Sequence, residues 1–218
     1  MELSKEQIKK VDKRLKKEGI KYWDLRIEMI DHVVSNIEDN TQTNDFEKEL
    51  TLSLKGIGWL GNLPEINREG WQNVNRKYRR EYHKGFRSFF KKPKNVLIFI
   101  FCSFLFYVIS ETISFENFKK LSFFLFASPL IFVFIFFVKS LYKKYGRSVN
   151  LDYGFTYLIM SFLILQSFPI LFKGESENIQ KTMWFVLLPI HSLAFYSGYN
   201  LYKKAISKVE KMKNELAL

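Results

Sequence analysis

The chain has 218 residues, 47% of them hydrophobic and 17% aromatic, and its 34 Lys and Arg against 22 Asp and Glu leave a net charge of +12. A basic surplus beside apolar spans suits anionic lipid headgroups before nucleic acid. The single cysteine, Cys102, excludes an intramolecular disulfide and a thiolate metal cluster.

The first 20 residues are strongly charged and hold no apolar run, so no signal peptide is expected. Ser4 with Gln7 makes a capping box for a first helix whose apolar stripe is Ile8, Val11 and Leu15 and whose stop is Gly19. A second helix is predicted from about Asp24 to Asn40. Its expected buried stripe is Trp23, Ile27, Ile30, Val34 and Ile37, widened by Met29 and Val33. Asn44 and Glu47 suit the start of a third helix, with Phe46, Leu50 and Leu54 on one face. Gly56, Gly58 and Gly61 end it in a turn that keeps two apolar anchors, Trp59 and Leu60. Residues 1–65 thus read as a small cytoplasmic helical domain that buries roughly a dozen large side chains, a marginal core that docking on a membrane, a partner or a second copy would help.

Within this region the run Tyr-Trp-Asp-Leu-Arg-Ile-Glu-Met-Ile-Asp-His-Val-Val-Ser-Asn-Ile-Glu-Asp at 22–39 is followed by a polar gap, a helix and a Gly-containing turn that ends Leu-Pro-Glu-Ile at 63–66. It resembles the helical signalling domain associated with helix-turn-helix regulators, the HAAS type, and the related permease prefix domain. Arg26, Glu28, Asp31 and His32 match the motif "R-x-E-x-x-D/E-H", and the resemblance covers about residues 4–70. It implies a cytoplasmic regulatory module ahead of membrane spans, often working with a PadR-like repressor encoded elsewhere. This chain differs from the permease members in having no large extracytoplasmic domain between its apolar segments.

Asp24, Glu28, Asp31, Ser35 and Glu38 recur every three or four residues along the second helix, with His32 one turn from Glu28. Such a stripe suits a solvated face, a docking surface for a basic partner helix, or a divalent cation. One His among loosely spaced carboxylates is far from a ligand set such as H-E-x-x-H, so no metal is expected. The candidate partner-binding residues are Asp24, Glu28, Asp31, His32 and Glu38.

Pro64 suits the start of a fourth helix with Trp71, Val74, Tyr78 and Tyr82 on one side. Residues 66–94 read as a basic amphipathic juxtamembrane helix. Arg76, Lys77, Arg79, Arg80, Lys84, Arg87, Lys91, Lys92 and Lys94 are its candidate lipid-headgroup contacts. The same residues interleaved with aromatics could grip nucleic acid, but a place directly before an apolar span favours the membrane, and no direct nucleic-acid contact is expected.

Four apolar segments follow, at about 96–115, 121–138, 153–172 and 182–202. At 1.5 Å rise per residue each can cross a hydrocarbon core of roughly 30 Å. The first is the weakest, because Val96 to Ser110 is only 15 uncharged residues and it reaches length through Glu111. Lys and Arg stay on the cytoplasmic side. Fourteen flank the first span, the link between spans two and three, and the tail 203–218, against four (Lys119, Lys120, Lys173, Lys181) in the other two links. Both termini are therefore expected in the cytoplasm, with the chain in the inner membrane. Two intramembrane polar residues are candidates: Glu111, expected to snorkel at the outer end, and His191, whose ring Ser192, Tyr196 or Ser197 could satisfy. Pro129, Pro169 and Pro189 suit a kinked outer cavity, Ala194 and Gly198 a close helix contact, and Cys102 a buried structural thiol.

The expected architecture is all-α: a small N-terminal cytoplasmic helical bundle followed by a four-helix polytopic membrane domain. No nucleophile with its base, Walker loop or intramembrane protease motif is present, so neither an enzyme nor a cofactor is expected. The expected function is a membrane-anchored regulatory protein with a protein partner and membrane lipids as its contacts. An accessory transporter subunit and a homo-oligomeric scaffold remain alternatives.

Overall fold

A computed structural model describes residues 2–41, 43 and 45–217, with the main chain alone for 216 and 217. Among the described residues the chain is all-α, with no strand. In order the helices are α1 (Lys5–Lys17), α2 (Trp23–Asn40), α3 (Phe46–Gly56), α4 (Leu63–Phe90), α5 (Pro93–Thr112), α6 (Phe115–Ala127), α7 (Pro129–Tyr142), α8 (Val149–Leu165), α9 (Phe168–Leu171) and α10 (Glu177–Ala217). They form two compact units. The first is Met1–Arg76, Tyr145–Asp152 and Lys208–Leu218, and the second is Lys77–Lys144 and Tyr153–Ser207.

In the first unit the capping box is complete. The Gln7 amide donates to Ser4 Oγ at 3.3 Å and the Ser4 amide donates to Gln7 Oε1 at 2.8 Å. The expected stripe of α1 buries Val11 and Leu15 against Met29, Val33, Leu50 and Leu54, with Ile8 at the edge. In α2 the buried row is Leu25, Met29, Val33 and Ile37, four residues apart; Ile30 and Val34 flank it and Ile27 lies off the cluster. The expected stripe is thus displaced around the helix, because α2 packs against α1 and α3 at once and the row facing both is the one buried. The Asp45 carboxylate caps α3, accepting from the Glu47 and Lys48 amides; Asn44, the expected start residue, lies outside the described residues. Of the two expected turn anchors Trp59 packs on the core, whereas Leu60 is exposed. Two segments distant in sequence, Tyr145–Asp152 and Lys208–Leu218, join this unit, and Tyr145, Val149, Leu151 and Val209 in them are buried.

The second unit is built around α10. A Cβ at Gly198 would collide with the Tyr157 carbonyl oxygen of α8, one at Gly85 of α4 with the Ser197 side chain, and one at Gly154 would lie 2.8 Å from the Ala205 Cβ. Ala194 is buried on the same helix as Gly198, as the small-residue spacing predicts. Farther along α10, Met183, Trp184, Leu187 and Leu188 pack with Phe118 and Phe126 of α6, Phe106 of α5 and Phe162 of α8.

The outer faces of α5 to α8 expose large apolar side chains, among them Leu97, Phe101, Phe134 and Ile164, a surface that matches lipid. Among the described residues three helical stretches are long and apolar enough to cross a membrane: Pro93–Thr112, Phe115–Tyr142 and Val149–Leu171. The first gains its length at its N-terminal side and stops at Thr112, rather than running on to Phe115. The least lipid-like of the four segments is the last. His191, Ser197 and Asn200 dilute its apolarity, and it is the helix that neighbours cover most. Pro129 and Pro169 open α7 and α9, while Pro189 lies inside α10. Ser128 Oγ donates to the Leu125 carbonyl at 3.0 Å, replacing the N–H that Pro129 lacks. Cys102 is exposed on α5 and is not the buried thiol expected, because α5 meets its neighbours along the edge of Phe106 and Ser110.

Candidate functional site

Asp24, one of the five candidate docking residues, is 1% exposed and its carboxylate lies inside the first unit. It receives four donors from the segment that opens α8. The Val149 amide donates to Oδ1 at 3.0 Å; the Ser148 hydroxyl, the Asn150 amide and the Asn150 side chain donate to Oδ2 at 2.6, 3.1 and 2.7 Å. Ser148 Oγ in turn accepts from the Leu151 amide at 3.2 Å. The first three N–H groups of α8, orphaned in any helix, are thus covered jointly by a local serine and a carboxylate from α2, whose charge also suits the positive helix end. Asp24 is a clamp and is not offered to a partner.

The clamp is reinforced on both sides. The Trp23 amide donates to the Arg147 carbonyl at 3.1 Å, Trp23 Nε1 donates to the Tyr145 carbonyl at 2.9 Å, and the Tyr22 hydroxyl donates to Asp152 at 2.8 Å. Gly146, at φ 75°, makes the turn that brings this strap against the Trp23 ring. The end of α10 joins it through the Tyr145 hydroxyl, which donates to Glu210 at 2.5 Å, and through Lys213, whose ammonium lies about 6 Å from the Trp23 and Tyr145 rings.

Glu28, Asp31, His32 and Ser35 stay exposed on one flank of α2. Glu28 pairs with Lys208 of α10 at 3.6 Å, and the His32 ring meets Trp59 edge-on at 6.2 Å. Glu38 lies farther along, half-buried, and accepts the Leu3 amide at 2.8 Å, which holds the chain start over the core. Of the five candidates, Glu28, Asp31 and His32 are exposed, Glu38 is half-buried and Asp24 is internal. Arg26 of the resemblance motif is structural, donating to Asp12 at 2.7 Å and to the Ile20 carbonyl at 3.0 Å.

All nine basic residues from Arg76 to Lys94 that were expected at headgroups are exposed. The aromatic side of the same helix is not turned to lipid. Within the second unit Tyr82 packs on Tyr157 at 5.2 Å and Phe89 on Tyr196 at 5.1 Å, and the Tyr82 carbonyl accepts the Ser197 hydroxyl at 2.5 Å. Burial pushes the Tyr82 phenol up to about 12. Protein covers this face at Tyr82 and Phe89, while Phe90 is exposed.

Glu111 is exposed and pairs with Lys181 at 3.4 Å. His191 is 2% exposed. Its ring lies 4.5 Å from that of Phe126, while Ser197, one of its expected partners, is engaged by Tyr82. The His191 ring therefore packs against Phe126, and Ser197 is not its partner.

The serine cap at Ser148 is visible in sequence, but nothing local marks Asp24 as its remote partner 124 residues away. Compared with known proteins, the chain matches no family model, no curated protein and no solved structure.

Proposed function

We propose that this chain is a multi-pass inner-membrane regulatory protein with both termini in the cytoplasm, whose N-terminal helical unit docks a protein partner on the Glu28, Asp31 and His32 flank of α2. The observation that carries it is the composition of the first unit. Residues 1–76, 145–152 and 208–218 pack together, so the chain between them must return to the same side of a membrane each time. That supports an even number of crossings, with α10 as the fourth despite its modest apolarity. The side is set by the excess of Lys and Arg, and the resemblance of residues 4–70 to the HAAS type points to a cytoplasmic regulatory module.

Docking there would also disturb contacts inside the first unit. Glu28 holds Lys208, Lys208 donates to Asn150 Oδ1 at 3.4 Å, and Asn150 donates to Asp24. A partner cation that takes Glu28 releases Lys208 and loosens the joint at the start of α8 and the end of α10.

Exposed ion pairs are each worth about 0.2–1 kcal/mol and are screened by salt. Glu28→Gln with Asp31→Asn is therefore expected to weaken partner capture by roughly fivefold, about 1 kcal/mol. Raised salt should do the same. Capture by the full chain from solubilised native membranes, at two salt concentrations, measures this; capture indifferent to both changes would mean that the flank is only solvated surface.

A further inference from the structure

Within the second unit, the last turns of α4 and the middle of α10 enclose a cavity of about 400 Å3. Its floor is set by close packing: Gly85 lets α10 approach at Ser197, whose hydroxyl is tied to the Tyr82 carbonyl. Its walls are cationic, with Lys84 and Lys92 on one side and Lys203 and Lys204 on the other, against a single carboxylate, Glu81. That carboxylate is already matched. Lys204 donates to it at 2.7 Å, which holds the Glu81 carboxyl below the usual range. Lys84, Lys92 and Lys203 have no carboxylate at ion-pair distance among the described residues, and Lys203 instead lies 5.7 Å over the Tyr199 ring. Four lysines against one carboxylate leave the lining with a net positive charge that an anion would offset. Tyr196 and Asn200 add neutral polar groups to the lining.

The groove opens where α4 gives way to α5, since Lys92 is the residue that caps α5. α5 is itself one of the helices long and apolar enough to cross a membrane, so the groove stands at the end of an apolar helix. A ligand that joins a phosphate to an apolar tail suits that position. From this juxtaposition we propose that the α4–α10 groove is a discrete binding site for the phosphate of an anionic phospholipid headgroup. It differs from a diffuse basic surface on α4, because half of its cations come from α10.

The test uses the purified full chain, native mass spectrometry and added phosphatidylglycerol. The variant Lys84→Gln, Lys92→Gln, Lys203→Gln is compared with Lys5→Gln, Lys9→Gln, Lys13→Gln, which removes the same charge from exposed positions of α1. The expected result is one retained phosphatidylglycerol, bound at least about tenfold more weakly by the groove variant and within about twofold of the parent by the α1 variant. Equal loss in both variants, or no loss in either, overturns the site. A second arm titrates inorganic phosphate, which is expected not to displace the lipid. Displacement that disappears in the groove variant would overturn the lipid assignment and give the groove to a soluble phosphate.

Discussion

Asp24→Ala is expected to destabilise the first unit by on the order of 3–5 kcal/mol, a large part of what a small unit has. The substitution leaves the Ser148 hydroxyl, the Val149 and Asn150 amides and the Asn150 side chain without their acceptor in a place from which water is excluded. Asp24→Asn should fall between, because one amide oxygen can still accept while its NH2 faces donors. Hydrogen exchange on the full chain reads the effect directly: Val149, Asn150 and Leu151 are expected to lose protection, and Phe118, Trp184 and their neighbours to keep it. Unchanged exchange at 149–151 would show that the clamp contributes nothing.

Gly198→Val is expected to abolish the packing of the second unit. A side chain there meets the main chain of α8 at Tyr157 and the Leu158 Cα at 2.9 Å, and main chain cannot swing aside as a flexible side chain would. Overpacking of this kind costs typically 1–3 kcal/mol, and more where backbone is the obstacle. Gly198→Ala should lower the thermal midpoint of the purified protein and Gly198→Val should leave no cooperative transition. Gly174, where an added Cβ meets nothing within 4 Å, supplies the neutral control. If Gly198→Val melts like Gly174→Ala, α8 and α10 do not pack as described.

How far the sequence carried this account depends on how local each signal was. The Ser4 and Gln7 capping box, the Val11 and Leu15 stripe and the close contact at Gly198 rest on spacings within one helix, and each could be read from the chain. The buried row of α2 could not be placed as well, because two neighbours choose it and Leu25 differs little from Ile27 in apolarity. Asp24 looked like part of an exposed acidic stripe because its spacing fits that stripe; what buries it is a set of donors at 148–150. Residues 66–94 read as a juxtamembrane amphipathic helix, but amphipathicity shows that a face is covered and not what covers it. Here the cover is α8 and α10. Likewise His191 sits near Ser197, but Ser197 has a better partner in the Tyr82 carbonyl.

The central claim is that residues 1–76, 145–152 and 208–218 lie together on the cytoplasmic side, where α2 can meet its partner. Single cysteines at the exposed positions Arg147, Glu175 and Asn214, each in a Cys102→Ser background, test it with a thiol reagent that does not cross membranes. In intact cells the account predicts labelling at Glu175 alone, with positions 147 and 214 labelled only after permeabilisation; labelling at 214 without permeabilisation would contradict it, because the tail could not then join the unit that holds α2.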